Sequence, residues 1–293
     1  MNIGVIGISG GDSSEKLANA VGKATGSRLL IDMQDVHLNL PQGDCFYQDK
    51  NLSHMDALII KKIGSPYSPD LLDRLEILHY LAKRGVKIFS SPHSIMRLLD
   101  RLSGTLELQA AGIPMPPTVI TENIEQAVQA ITKFGKAVLK PLYTSKAKGM
   151  LLLESSDQML KAKLVEYHKY NQFFYIQKAL PLEDGLDLGV VFIGNEYLTT
   201  YARVRAQGSW NTTTVNGGRY APFKPSKEIM DVACKARDVF NLEFTCVDVA
   251  IAPEGPVVFE VSAFGGFRGI EETSNFNPAD LLVDHIIKKI KTA

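Results

Sequence analysis

A chain of 293 residues with 45% hydrophobic content suggests a soluble globular protein of two domains, or of one domain with subdomains. Thirty-two Lys and Arg balance 32 Asp and Glu, which argues against a nucleic-acid or polyanion binder working by bulk charge. No run is long enough to span a membrane, and Cys45, Cys234 and Cys246 show neither metal-type spacing nor an even set, so they read as reduced thiols of a cytoplasmic protein.

MNIGVIGISGG opens as a β-strand, with no basic segment before its apolar part. Its glycines do not follow the G-x-G-x-x-G spacing of a dinucleotide site. Strands are expected at Asn2 to Ile8, Arg28 to Asp32, Met55 to Lys61 and Val86 to Phe89, with helices at Ser13 to Ala24 and Pro69 to Arg84. That alternation predicts a parallel sheet covered by helices. Ser91-Pro92 starts a helix expected to run to Ala111, and GIPMPPT is a proline-rich joint.

Beyond the joint the pattern becomes α+β. A helix is expected from Ile124 to Phe134, strands at Ala137 to Lys140 and Met150 to Leu153, and a helix to Tyr170 opened by a Ser155–Gln158 capping box. Strands follow at Phe173 to Lys178, Leu188 to Ile193 and Tyr197 to Arg205, then a polar loop from Ala206 to Gly218. A helix from Ser226 to Phe240, an acidic hairpin and a helix opened by Asn277-Pro278 complete the chain.

The hairpin carries two carboxylates in apolar strands. Val247, Val249 and Ile251 alternate with Asp248 and Ala250, and Val257, Phe259 and Val261 alternate with Val258, Glu260 and Ser262. With Pro253-Glu254-Gly255 as a three-residue loop, Ala252 faces Pro256 and Asp248 faces Glu260, with Ser262 next on that face. At ~5 Å and an effective dielectric of ~20, the repulsion is about 3 kcal/mol. A divalent cation would offset it, and an oxygen-only donor set points to Mg2+; a solvated outer face is the alternative.

Lys140 ends a buried strand, where it either snorkels to water or meets a phosphate. The loop after it, YTSKAKGM, offers small residues, lysines and backbone N–H groups suited to a polyphosphate, though it lacks P-loop spacing. Lys140, this loop and the acidic hairpin form one consistent set for a nucleoside triphosphate with Mg2+.

Four stretches carry a family resemblance: HMDALIIKKIG (His54 to Gly64), SPHSIMRLLDRLSGTLELQAAGIPMPPT (Ser91 to Thr118), VLKPLYTSKAKGM (Val138 to Met150) and FEVSAFGGFRGIEE (Phe259 to Glu272). In this order they resemble the ATP-grasp superfamily, specifically the RimK-like carboxylate–amine ligases that add glutamate. The resemblance implies a Rossmann-like pre-ATP-grasp α/β domain at 1–98, a central ATP-grasp subdomain at 99–180 and a C-terminal subdomain with the metal site at 181–293. It implies ATP as a substrate, one or two Mg2+ ions with Mn2+ as an alternative, and amide formation between a carboxylate and an amine. No nucleic-acid or membrane partner is expected, and a homo-oligomer is left open.

By position, the resemblance gives Lys140 and Lys146 the phosphates. Lys178, Ala179 and Leu180 form the adenine hinge, and Asp187 takes the ribose. Arg101 stands at the family's lysine, Arg203 faces the γ-phosphate and acyl phosphate, and Asn211 to Thr213 lie near the nucleotide. Asp248, Glu260 and Ser262 fall on the metal positions. Lys62 and Arg268 are candidates for a substrate carboxylate. The departures are Lys178 for Glu, Gly189 for an arginine, Asn211, Val215 and Asn216 for Arg, His and Arg, Ser262 for Asn and Gly265 for Pro. They keep three alternatives open: a catalytically weakened ATP-binding regulatory or scaffold protein, an ATP-grasp dipeptide ligase, or a carboxylate kinase.

Overall fold

The computed structural model describes residues 1–65 and 67–292. The first unit contains β1 (Ile3–Ile6), α1 (Asp12–Thr25), β2 (Leu30–Ile31), β3 (Val36–Asn39), β4 (Asp44–Tyr47), β5 (Lys50–Asn51), β6 (Ala57–Ile60), α2 (Leu71–Lys83) and β7 (Lys87–Phe89). Strands β2-β1-β6-β7 pair in parallel in that order. β1 and β6 are buried throughout, which is why IGVI and ALII read as unbroken apolar runs. The separate β3-β4-β5 ribbon was not expected. Its strands are two to four residues long; β3 alternates Val36 and Leu38 with His37 and Asn39, but β4 and β5 continue no such period, and so short a signal does not mark a ribbon.

The second unit contains α3 (Pro92–Leu99), α4 (Arg101–Ala110), β8 (Thr118–Thr121), α5 (Ile124–Phe134), β9 (Lys136–Lys140), β10 (Leu151–Glu154), α6 (Leu160–His168) and β11 (Phe174–Lys178). Its antiparallel sheet has the order β10-β9-β11-β8 and shares a core with α5 and α6. The single helix expected to Ala111 is broken at Asp100. Asp100 is extended (φ −109°, ψ 154°), and its carboxylate accepts from Ser103 N at 2.8 Å and Ser103 Oγ at 2.7 Å, so it caps a fresh helix that begins at Arg101. α6 starts later than the capping-box reading implied. Ser155 makes no cap there, and Asp157 accepts from Met159 N at 2.9 Å.

The third unit contains β12 (Leu186–Ile193), β13 (Glu196–Val204), β14 (Arg219–Pro222), α7 (Lys227–Asp238), β15 (Phe244–Ala252), β16 (Gly255–Ser262), α8 (Arg268–Thr273) and α9 (Pro278–Thr292). The strands form an antiparallel sheet in the order β14-β13-β12-β15-β16. One apolar cluster joins Ile3, Val5 and Val21 of the first unit to Val191, Phe244 and Ile286 of the third, which fixes the first layer against the last sheet. Among the described residues no helix is long and apolar enough to cross a membrane.

The β15–β16 register corrects the expected loop and keeps its consequence. The turn has two residues, Pro253 and Glu254, so Ala252 faces Gly255 and Ile251 faces Pro256. A bulge then leaves Phe259 without a partner: Val249 faces Val258, and Asp248 faces Glu260. The extra residue cancels the shorter loop, and both Phe259 and Glu260 line the cleft described next.

Candidate active site

A cleft of about 790 Å³ runs between the β10-β9-β11-β8 sheet and the five-stranded sheet, with α4 and Lys62 contributing to its wall. Sheet register decides which side chains share its floor. Asp187, Arg203 and Tyr220 lie side by side across β12, β13 and β14. In the next row Tyr201 faces Gly189, Gly189 faces Asp248, and Asp248 faces Glu260. Directly opposed residues point to the same side of a sheet, so this grid sets acids and an arginine on one surface.

Two guanidiniums meet the acidic pair. Arg203 donates Nη2 to Asp187 Oδ2 at 2.5 Å and Nε to the same carboxylate at 3.1 and 3.2 Å, and its Nη2 lies 3.0 Å from Asp248 Oδ1. Arg101, with only 7% of its side chain exposed, donates Nη1 to Glu260 Oε2 at 2.8 Å, while the Glu260 side chain is 47% exposed. Burial would depress Arg203, but the charges of Asp187 and Asp248 outweigh it and hold the guanidinium firmly protonated.

Burial pushes Asp248 up to about 6, with Asp187 and Glu260 adding to the rise and Arg203 opposing it. Two carboxylates side by side, each sharing an arginine, are a place where a cation can join them. Asp248 and Glu260 offer hard oxygens, and Ser262 lines the same cleft, so the donor set fits a hard divalent ion. No cluster of three or more His, Cys, Asp or Glu with metal-site geometry exists among the described residues. The protein would therefore supply only part of a shell, the rest coming from phosphate oxygens and water.

Lys140 ends β9 with Nζ 2.5 Å from Gln177 Oε1 and 5.3 Å from the Phe259 ring centre. Burial of its ammonium lowers it to about 7, with Arg101 adding and the three acids opposing. In the loop after it, Lys146 and Ala147 take positive φ (55° and 57°), and both line the cleft. Lys178, Ala179 and Leu180 form the cleft edge at the end of β11. The N–H of Lys178 is already given to Pro117 O at 2.8 Å, which leaves the Lys178 carbonyl and the Leu180 N–H as the backbone groups of the expected hinge. Asn211 Oδ1 accepts from Thr213 N, Thr213 Oγ1 and Asn216 Nδ2 at 3.2, 2.8 and 3.0 Å, so this side chain organises its own loop.

The two substrate candidates part company. Lys62 lines the cleft, with Nζ 3.5 Å from Phe264 O and 5.2 Å from the Phe264 ring centre; burial, helped by Lys146, lowers it to about 8. Arg268 is not on the cleft wall. It stands at the start of α8, largely exposed, and pairs with Glu272 one turn on at 2.5 Å.

A model of the RimK-like ATP-grasp domain matches residues 98–286. The chain belongs to the RimK-like ATP-grasp family. It is 26% identical over 250 residues to a tetrahydromethanopterin:alpha-L-glutamate ligase of Methanocaldococcus jannaschii, covering 84% of each chain. It is also 26% identical over 256 residues to a ribosomal protein bS6--L-glutamate ligase of Salmonella paratyphi B, covering 86% of this chain and 83% of that one. The fold matches the ATP-grasp ligase PsnB, solved with a phosphomimetic variant of its minimal precursor, Mg and ADP, at a TM-score of 0.77, 18% identity and 98% coverage of both chains. This RimK-like protein is thus an ATP-grasp ligase, an enzyme of the carbon–nitrogen bond-forming class.

Two buried residues behind the cleft wall of this RimK-like protein were not singled out from the sequence. Lys61, only 2% exposed, donates its ammonium to Gly265 O and lies 4.0 and 4.8 Å from the Phe267 and Phe244 ring centres. In the sequence it is one of two lysines closing an apolar strand. The second is Tyr201, whose ring fills the space over Gly189: a Cβ there would meet ring atoms at 2.5 Å. The glycine that departs from the family's arginine was the only hint.

Proposed function

We propose that the protein is an ATP- and Mg2+-dependent carboxylate–amine ligase that joins glutamate or another amino acid to a carboxylate of a protein, peptide or small molecule. The observation that carries this reading is Arg203, fixed by Asp187 and Asp248 on the same cleft floor as the Asp248–Glu260 pair. A fixed positive charge facing carboxylates and phosphate-binding lysines suits phosphoryl transfer to a carboxylate, where charge develops on oxygen.

A substrate carboxylate oxygen attacks the γ-phosphorus, and the β–γ bridging oxygen leaves with ADP. The amine nitrogen then attacks the acyl carbon, inorganic phosphate leaves, and the amine proton passes to water. Lys140 and Lys146 hold phosphates, the Lys178–Leu180 edge takes the adenine, Asp187 lies toward the ribose, and Arg101 and Arg203 steady the phosphoryl oxygens. Asp248, Glu260 and Ser262 would hold one or two Mg2+ ions, or Mn2+, which when bound neutralise charge on the phosphates. Positioning and electrostatics do the work without an enzyme nucleophile. The units correspond in this reading to a pre-ATP-grasp domain (1–98), a central subdomain (99–180) and a C-terminal subdomain (181–293), and use of ATP suits a cytoplasmic protein.

The test is phosphate release from Mg-ATP over a panel of amino acids and peptides, with products identified by mass. Release that needs both a carboxylate and an amine is expected. Nucleotide binding with no release above background for any pair would make the protein an ATP-binding regulator instead.

A further inference from the structure

We propose that Gln177 is the positioning residue for Lys140: its amide holds the lysine ammonium at the phosphate end of the cleft before a nucleotide arrives. This rests on the reading of Lys140 as a phosphate contact given above. Sheet register brings the groups together. Gln177 of β11 faces Thr118 of β8 on one side and Val138 of β9 on the other, and Tyr175, two residues earlier, faces Lys140. All these side chains therefore share the cleft face of the sheet. Gln177 lines the cleft yet is only 3% exposed, so its amide has to be satisfied within the protein.

The hydrogen bonds allow that amide one orientation. Thr118 donates its hydroxyl to Pro116 O at 2.8 Å, which leaves Thr118 Oγ1 as an acceptor toward Gln177. Gln177 Nε2 meets it at 3.1 Å and lies 3.5 Å from the Tyr175 hydroxyl, so Oε1 is the end turned to Lys140, 2.5 Å from Nζ. A flipped amide would set N–H groups against the ammonium, and Oε1 against a hydroxyl whose proton is already given away. The last acceptor in the chain is itself fixed. Pro114 O and Pro117 O, on either side of Pro116, accept from Val258 N and Lys178 N, each at 2.8 Å. The proline-rich joint thus sets the amide, and the amide sets the lysine.

Lys140 needs such an anchor. The groups around it are Arg101 of α4, Tyr175 of β11, Asp187 of β12, Asp248 of β15, and Phe259 and Glu260 of β16. Arg101 repels it. The three acids are held by arginines, Glu260 by Arg101 and Asp187 and Asp248 by Arg203, and Lys140 forms no ion pair among the described residues. A neutral acceptor suits the task. It accepts from the ammonium and from the free amine alike, so it holds the side chain in either protonation state. It also leaves the positive charge in place, where a carboxylate would cancel it and repel an incoming phosphate. Without Gln177 the four-carbon stem would sample several rotamers, and a phosphate would have to order them on binding.

The test is calorimetry with Mg2+ and the non-hydrolysable ATP analogue AMPPNP at pH 8, run in two buffers of different ionisation heat so that affinity and proton uptake are both read. Gln177→Met, close in volume and without a hydrogen-bonding amide, should weaken AMPPNP binding about tenfold and keep the proton uptake of the wild type. Gln177→Glu should also weaken binding but abolish the uptake, because the new carboxylate keeps Lys140 protonated before the nucleotide binds. A residue that merely filled the core would not separate the two variants in this way. Thr118→Val, on the edge strand β8, leaves Gln177 in place but frees its amide to turn, and should weaken binding about threefold; it decides the matter where a variant at the buried Gln177 does not fold. Wild-type affinity in Gln177→Met or Thr118→Val, or wild-type uptake in Gln177→Glu, overturns the proposal. Lys140→Met, measured alongside, separates the failures: if it loses affinity while the Gln177 and Thr118 variants do not, only this inference falls; if it too binds AMPPNP as the wild type does, the reading of Lys140 as a phosphate contact falls as well.

Discussion

Lys61 and Gly265, 204 residues apart, are joined by a hydrogen bond from the lysine ammonium to the glycine carbonyl. The bond ties the end of β6 to the loop that leaves β16, the strand carrying Glu260 and Ser262. Lys61 has no carboxylate partner among the described residues, and burial, with Lys62 adding, depresses its pKa well below the ordinary lysine value.

Lys61→Met keeps most of the stem and removes the donor. The buried Gly265 carbonyl then loses its lysine partner, so we expect a loss of about 1–3 kcal/mol in urea unfolding. An unchanged midpoint and slope would mean that the carbonyl is satisfied by other means and that the contact does not hold the loop.

The acidic pair is expected to act differently at its two members. Asp248 is half-buried beside Asp187 and Glu260 with a share of one arginine, so Asp248→Asn should leave stability unchanged or raise it, Arg203 keeping Asp187. Glu260 is half-exposed, and Glu260→Gln should move stability by less than about 1 kcal/mol. Both changes should sharply weaken the Mg2+-dependent part of nucleotide binding, measured by calorimetry with and without Mg2+. A loss of several degrees in melting temperature for Asp248→Asn would instead make that carboxylate a structural acceptor.

Much of this geometry was legible in the sequence, for identifiable reasons. Period-2 alternation put Asp248 and Glu260 on one face, and apolar runs gave the parallel strands β1 and β6. What periodicity reports is faces, not partners. The two-residue turn and the Phe259 bulge offset each other, so the pairing followed from a loop length that was off by one. The Arg101–Glu260 contact spans 159 residues, and no local pattern foretells which cation meets which acid. The Asp100 break was hidden because the apolar spacing continues across it, and only the cap on Ser103 distinguishes two helices from one.

Lys140 gives the pH dependence. Its folded pKa of about 7 lies below the ordinary value of 10.5, so between these the unfolded chain binds more protons and stability rises with pH; below pH 7 the buried charge is carried in full. Lys140→Met should flatten that rise. Phosphates arriving beside Lys140 favour its charged form, so nucleotide binding at pH 8 should take up a proton in the wild type and less in Lys140→Met. Calorimetry in two buffers of different ionisation heat checks this. Equal uptake in both proteins would assign the proton to another group.

Asp100 tests whether the helix break serves the cleft. Its carboxylate caps α4, and the first residue of that helix, Arg101, reaches Glu260 while its backbone N–H donates to Leu142 O at 3.1 Å. Asp100→Ala removes the cap and should cost about 1 kcal/mol in unfolding free energy. It also lets α3 and α4 drift toward one continuous helix, which would carry Arg101 off Glu260 and weaken Mg-nucleotide binding beyond what the stability loss explains. Asp100→Asn keeps an acceptor for Ser103 N and should restore most of both properties. If Asp100→Ala lost stability but kept full nucleotide affinity, the cap would be a helix-stabilising feature alone, and Arg101 would be held in place by Pro141, Leu142 and Thr144 of the neighbouring loop.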